Sequence, residues 1–393
     1  MHIATVCGTR PELIKLAPLV PLLAERFEHT YLFTGQHYSP SMVQVFLDEL
    51  ASAPPDRFLA VGTSDHDALQ TATLDALRDI APDVIIVYGD TNSTLAAGLA
   101  AEKLGAILIH VEAGIRSFDR SMPEEINRVR VDEIADLMLA PTGLGTWFLQ
   151  AFESHDPVIA PAVGNLVVDA WERHRGLIDA RELPAVLTDR LAAGDGSSEY
   201  AVLTLHRQAT VDSPEVFGRA LRELGSLDLP ILFPVHPRTQ ARVDSFGLTW
   251  PDNFIVGEPL GYLDFCKAMG GAAILLTDSG GVQEEAVTLD IPCVTLRPNT
   301  ERMETVFLRA NRLFDLEHDT GLARVVAEAR AEHGGRPYKL NPYGDGRAAE
   351  RITAVCELLA GRAPSTEWPS TPGMADVDDL RAAAEAALTR RGR

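Results

Sequence analysis

The sequence predicts an α/β protein of parallel sheets covered by crossover helices. Short apolar runs alternate with longer amphipathic stretches down nearly the whole chain, the pattern that βαβ units produce. The alternation stops near the middle and begins again, so two sheets are expected rather than one. Polar residues cluster just past the apolar runs, where open α/β sheets bind their ligands.

The first series places strands at Ile3–Cys7, Tyr31–Thr34, Val84–Tyr88, Ile107–Val111 and Leu137–Ala140, each followed by turn residues and an amphipathic stretch. Between about residues 164 and 200 the pattern offers helices and a polar loop, Ala193 to Ser198, with no strand, which marks a hinge. The second series has strands at Ala201–Leu205, Ile231–Val235, Phe254–Val256, Ala273–Thr277 and Cys293–Leu296. A helix near Gly346–Leu359 follows. Residues 362–373, rich in Pro, Ser and Thr, read as a flexible linker, and a charged helix over about Ala375–Arg390 has no catalytic role. The division expected is a Rossmann-like domain over residues 1–168, a second over 169–361, and a linker and tail over 362–393. Two such domains facing across a cleft place the strand-end loops at that cleft.

With 393 residues, 46% hydrophobic and 23% charged, the chain fills a core in each domain. No apolar run approaches the roughly 18 residues of a membrane helix. Met1 to Cys7 runs into Gly8 without a basic n-region or cleavage site, and the cytoplasm is the expected location. Cys7, Cys266, Cys293 and Cys356 are scattered singly and read as free thiols. A net charge of −21 excludes a general nucleic-acid surface, so any phosphate site is local.

Gly8-Thr9-Arg10-Pro11-Glu12 follows the first strand, with Pro11 suited to a first helical turn and Gly8 permitting close backbone approach. Arg10 and Lys15 then stand near helix amides that favour an anion. The loop is either a phosphate grip or a helix start with two solvated cations. Asp278-Ser279-Gly280-Gly281 ends an apolar strand and opens a helix carrying Glu284 and Glu285. Its amides and the Ser279 hydroxyl are suited to a diphosphate. Glu285 either accepts hydrogen bonds from ribose hydroxyls or is an exposed helix glutamate.

Three carboxylates, Asp90, Glu112 and Glu124, emerge at strand ends or in the loops beyond them. Asp90 could cap a helix beginning near Thr91, and Glu124 could be a first-turn carboxylate. Convergence on one cleft favours acid/base work, because crowded carboxylates separate into an acid and a base. His206-Arg207 and His236-Pro237-Arg238 also follow strands. His206 serves a diphosphate, a proton transfer or a loop carbonyl. His110-x-Glu112 has the spacing of zinc deaminases, but their C-x-x-C is missing near Cys293. No other cluster has ligand spacing, and neither a metal nor a cofactor is expected.

Gly8 to Glu12, Gly89-Asp-Thr-Asn-Ser-Thr94, His110-Val-Glu-Ala-Gly-Ile-Arg-Ser117, Pro123-Glu-Glu-Ile-Asn-Arg128, Asp278 to Glu285, Thr300-Glu-Arg302 and Asn341-Pro-Tyr-Gly-Asp-Gly346 stand in the order found in UDP-N-acetylglucosamine 2-epimerases. Over residues 1–360 the chain resembles that family. The resemblance implies a glycosyltransferase-B-like fold, a homodimer, and interconversion of UDP-N-acetylglucosamine and UDP-N-acetylmannosamine by loss and re-addition of UDP through a 2-acetamidoglucal. By motif, it assigns catalysis to Asp90, Glu112, Glu124 and His206. It assigns the nucleotide sugar to Arg10, Lys15, Ser279, Gly280, Gly281, Glu285 and Arg302, and the uridine region to Phe265. The alternatives are a hydrolysing epimerase releasing N-acetylmannosamine and UDP, a glycosyltransferase on the same fold, and a sensor without catalysis.

Three departures from the family pattern stand out: Ala209 replaces a usual Glu, Met303 a usual Pro, and the segment from Val61 to Leu69 lacks the Arg that bacterial members use for a second, activating UDP-N-acetylglucosamine. Weak or missing allosteric activation is therefore expected. A sigmoidal substrate curve would contradict it.

Overall fold

The computed structural model describes residues 1–35, 47–50, 52–59, 61, 66–152, 159–192, 199–335, 337–338 and 340–392. The loop Ala193 to Ser198 lies outside them, as do residues 62–65 of the segment read for the activator arginine.

Among the described residues the chain forms two six-stranded sheets. In the first, β1 (His2–Cys7), β2 (Glu28–Phe33), β3 (Arg57–Phe58), β4 (Val84–Tyr88), β5 (Ile107–Val111) and β6 (Leu137–Leu139) lie in the order β3-β2-β1-β4-β5-β6. The second holds β7 (Ala201–Thr204), β8 (Ile231–Pro234), β9 (Phe254–Gly257), β10 (Ile274–Thr277), β11 (Cys293–Thr295) and β12 (Asn311–Leu313), ordered β12-β11-β10-β7-β8-β9. Every pairing is parallel. Numbered within its own half, each sheet runs 3-2-1-4-5-6, the doubly wound order. The chain reverses direction across the sheet between β1 and β4, and again between β7 and β10. Those two switch points are where such sheets open a crevice for a ligand.

The central strands are apolar on both faces because helices cover both sides. All five residues of β4 and of β5 are buried. Ile85, Val87 and Leu108 pack with Ala97, Ala100 and Ala101 of the helix Asn92–Leu104, while Leu203, Ile231, Phe233 and Ile274 anchor the second core. Each such large side chain contributes about 1.5–3 kcal/mol on burial. The ten strands read from sequence are present, with ends shifted by up to three residues. The two unread ones, β3 and β12, are short edge strands with exposed or polar residues.

The division differs from the one expected. One compact unit comprises Met1–Arg173 and Pro342–Arg393, the other His174–Asn341. The helix Ala348–Leu359 is buried along nearly its whole length within the first unit, where Glu357 pairs with Arg26 at 3.2 Å. Residues 362–373 are not a loose linker either. Ser365 N donates to Glu357 at 2.8 Å, Arg26 donates to Thr366, and the Thr371 hydroxyl donates to Asp345 at 2.5 Å. The terminal helix Val377–Arg390 buries Leu380, Ala383, Ala384 and Ala387, and Arg391 reaches Asp136 at 2.6 Å. Composition reported the Pro and Ser content but not these side-chain ties.

Candidate active site

In the first unit the loops after β1, β4 and β5 meet at the switch point. Gly8 is required there: a Cβ on it would lie 1.9 Å from Ser93 Oγ and 2.7 Å from Thr34 Oγ1. Glu12 then folds back, accepting from Gly8 N at 3.0 Å, Thr9 N at 2.7 Å and the Thr9 hydroxyl at 2.7 Å, with Thr91 donating at 3.0 Å. Burial pushes its carboxyl up, against the lowering pull of these donors. The Gly8 and Thr9 amides are therefore taken by Glu12 rather than offered to an anion. Arg10 is exposed at the start of the helix Arg10–Leu16. Lys15 is not a solvated cation: it meets Glu112 Oε2 at 3.1 Å and stands 5.3 Å from the Tyr88 ring centroid.

Glu112 is buried and has a left-handed backbone, φ 71°, an uncommon conformation for a residue with a Cβ. The Tyr88 hydroxyl donates to Glu112 Oε2 and also contacts Asn165 Oδ1 at 3.2 Å. Asp90 does not cap the next helix, because Thr91 does, accepting from Thr94 N at 3.2 Å. The Asp90 carboxylate pairs instead with Arg128, which also holds the buried Glu125 at 2.8 Å. Glu125 in turn accepts from Ser117 N and Phe118 N, both at 2.9 Å. Glu124 is exposed in the first turn of the helix Pro123–Ile134, four residues before Arg128. The structure thus sets Glu112 against Lys15 and Tyr88, sets Asp90 against Arg128, and leaves Glu124 exposed one turn before Arg128 on the helix that holds Asp90.

In the second unit β7 and β10 are in register, Thr204 beside Thr277, which sets their following loops side by side. Asp278, fully buried, accepts from His206 N at 2.9 Å and Arg207 N at 2.8 Å, and meets His206 Nδ1 at 2.8 Å. Burial opposes charge on both partners, but their mutual attraction wins: His206 is held above the ordinary histidine range and Asp278 below that of an aspartate. His206 is therefore a side chain oriented by a buried carboxylate, with its ring still exposed.

Ser279 is the N-cap of the helix Gly280–Thr288, yet its hydroxyl makes no capping bond. Gly280 lies against Glu301, 2.5 Å from where its Cβ would stand, whereas a Cβ on Gly281 would meet nothing within 4 Å. Arg302 is buried and paired with Glu284, and Glu301 holds Arg297 at 3.1 Å. Glu285 is half-buried, not an exposed helix glutamate, and Phe265 is half-buried on the helix Tyr262–Gly270. His236 caps the helix Pro237–Ser245 through Arg238 N, and Arg238 pairs with Asp212 at 2.6 Å, so this loop spends its polar groups locally. Beside it, at the ends of β8 and β9, a recess of about 730 Å³ is lined by Leu232, Val235, Pro237, Val256 and Leu260. Sequence reading gave no sign of it.

The sequence pattern of UDP-N-acetylglucosamine 2-epimerases matches residues 23–357. The chain belongs to the UDP-N-acetylglucosamine 2-epimerase family. The matched span takes in every site loop above except the one from Gly8 to Lys15. A relative from Methanocaldococcus jannaschii, a UDP-N-acetylglucosamine 2-epimerase, is 36% identical over 370 residues, 90% of this chain and 98% of its own. A UDP-2,3-diacetamido-2,3-dideoxy-D-glucuronate 2-epimerase from Pseudomonas aeruginosa is 34% identical over 91% of this chain and its full length. The crystal structure of the M. jannaschii UDP-GlcNAc 2-epimerase in complex with UDP-GlcNAc and UDP superimposes with a TM-score of 0.78 at 35% identity, covering 91% of this chain and 99% of that one. These likenesses place the fold of this family member in the glycosyltransferase-B-like class.

Proposed function

We propose that the protein interconverts UDP-N-acetylglucosamine and UDP-N-acetylmannosamine without net hydrolysis. The observation that carries this reading is that Asp90 and Glu112 stand just past the neighbouring strands β4 and β5, each ion-paired with a basic side chain. Pure binding of a nucleotide sugar does not call for carboxylates there. The C2 hydrogen of the sugar is not acidic, so departure of UDP from C1 accompanies loss of that proton and leaves a 2-acetamidoglucal. Return of a proton to the opposite face of C2 and of UDP to C1 completes the inversion.

Asp90, Glu112 and Glu124 share the acid, base and cation-stabilising roles. His206, oriented by Asp278, serves the diphosphate or a proton transfer. Ser279, Gly280 and Gly281, at a helix N-terminus, hold the leaving diphosphate together with Arg10, Lys15 and Arg302, an electrostatic contribution of several kcal/mol. Glu285 takes the ribose, and Phe265 packs near the uridine. The unspent Ser279 hydroxyl and the open space at Gly281 support the diphosphate assignment.

The working form is a homodimer in this reading. The helix Gly143–Phe152 has no charged residue, and Trp147 and Phe152 are exposed on it beside Phe118, with ring centroids 5.6 and 5.7 Å apart. An apolar face of this kind marks an interaction site. Sedimentation should give a dimer that Trp147→Lys with Phe152→Lys converts to monomer, and a monomeric wild type would remove the assignment.

Incubation with UDP-N-acetylglucosamine in D2O, followed by NMR, tests the activity. UDP-N-acetylmannosamine deuterated at C2 with little free UDP is the expected product. Free N-acetylmannosamine with equal UDP would make the enzyme a hydrolysing one. No exchange at C2 would overturn the reading for this substrate.

A further inference from the structure

We infer that His110 and Asp132 form a buried clamp that fixes the backbone carrying Asp90 and Glu112, and that they govern turnover as positioning residues without touching the sugar. This rests on the epimerase reading above. His110 is fully buried on β5, two residues before Glu112. Its Nε2 lies 2.8 Å from Gly89 O. A carbonyl oxygen only accepts, so Nε2 carries the hydrogen. Its Nδ1 lies 2.5 Å from Asp132 Oδ1, a short hydrogen bond between the two side chains.

Asp132 extends the tie. Its Oδ2 accepts from Arg116 Nη2 at 2.6 Å and from Gly114 N at 3.1 Å. Burial acts to raise the Asp132 carboxyl, but His110 and Arg116 outweigh it and hold it below the ordinary range. One carboxylate on the helix Pro123–Ile134 therefore anchors both strand-end loops. Through the imidazole it holds Gly89 O, next to Asp90, and directly it holds the turn after Glu112.

Both anchored loops contain left-handed backbone, Gly89 at φ 69° and Glu112 at φ 71°. Glu112 carries a Cβ, and such a residue persists in that region only where its surroundings over-determine it. Stability alone does not account for the cluster. A buried ionic network contributes little net stability relative to apolar packing of the same volume, whereas it does restrict geometry. A displacement of Asp90 or Glu112 of about 1 Å is enough to cost on the order of 100-fold in rate.

The test compares Asp132→Asn, His110→Gln and His110→Asn in the full chain, reading kcat, KM and melting temperature. Asp132→Asn should lower kcat on the order of 100-fold with KM changed by less than about twofold. The Gln amide reaches the place of Nε2 and keeps the bond to Gly89, while the Asn amide reaches only that of Nδ1, so His110→Gln should retain the larger kcat. Equal kcat in the two His110 variants, or an unchanged kcat in Asp132→Asn, overturns the inference. A proton spectrum supplies an arm independent of substrate: the short Nδ1–Asp132 bond should give a far-downfield resonance in the wild type that Asp132→Asn removes. Its absence from folded wild type sinks the clamp itself, whereas its presence in a protein that exchanges nothing at C2 sinks only the role in epimerisation.

Discussion

In the proposed reaction Glu112 is a central side chain: buried, left-handed, and in contact with both a lysine and a tyrosine hydroxyl. Its replacement by Gln keeps the shape and removes the charge, so kcat should fall by about 10²–10⁴-fold, well beyond the effect on melting temperature of leaving Lys15 without its charge partner, as C2 exchange and calorimetry would show. A structural carboxylate affects stability alone. Asp345 meets the fully buried Arg351 at 2.8 and 2.9 Å. Burial acts to raise its pKa, but Arg351 and Thr371 bring it down to about 2. A depressed folded pKa contributes stability above the unfolded value that is lost as pH falls through the folded one. Asp345→Asn should therefore cost about 3 kcal/mol in denaturant titrations near neutrality, and the difference should fade as pH falls from about 4 toward about 2. Residues such as Asp90, Glu112 and His206 were legible because they follow apolar runs directly. Their pairings were not. Arg128 and Asp278 stand in the motifs, but only the fold shows that Arg128 is buried against Asp90 and Asp278 against His206.

At the scale of loops and helices, the two glycine-bearing strand ends behave differently. Gly8→Ala drives a methyl into Ser93 and Thr34, so the whole loop from Gly8 to Glu12 should shift, lowering thermal stability and activity together. Gly281→Ala meets nothing within 4 Å. It should leave the melting temperature within about 4 °C, since a helix Gly→Ala change with no clash alters stability by only tenths of a kcal/mol to about 1 kcal/mol. If the diphosphate lies against that helix start, KM for the UDP-sugar should still rise, by about tenfold or more, in steady-state assays. Strands were legible at this scale wherever both faces are covered, since β4 and β5 read as unbroken apolar runs. The edge strands β3 and β12 were not, because two or three half-exposed residues leave no period to detect.

For the whole molecule, sequence periodicity revealed two sheets but not where the units divide. The return of Pro342–Arg393 to the first unit depends on contacts between residues more than 300 positions apart, such as Arg26 with Glu357, which no local pattern encodes. Ending the chain at residue 361 should thus destabilise the first unit by roughly 3–5 kcal/mol, mostly from exposing the surface that Leu380 and the alanines around it cover. An unchanged unfolding midpoint would show the terminal helix to be dispensable. The same discontinuity governs the order of events on the ribosome. Domains ordinarily fold in the order they are synthesised, but the N-terminal unit here lacks two of its helices until translation has passed residue 390. The continuous unit His174–Asn341 has all its residues earlier. The nascent chain therefore reverses the usual sequence, with the half that emerges first completed last.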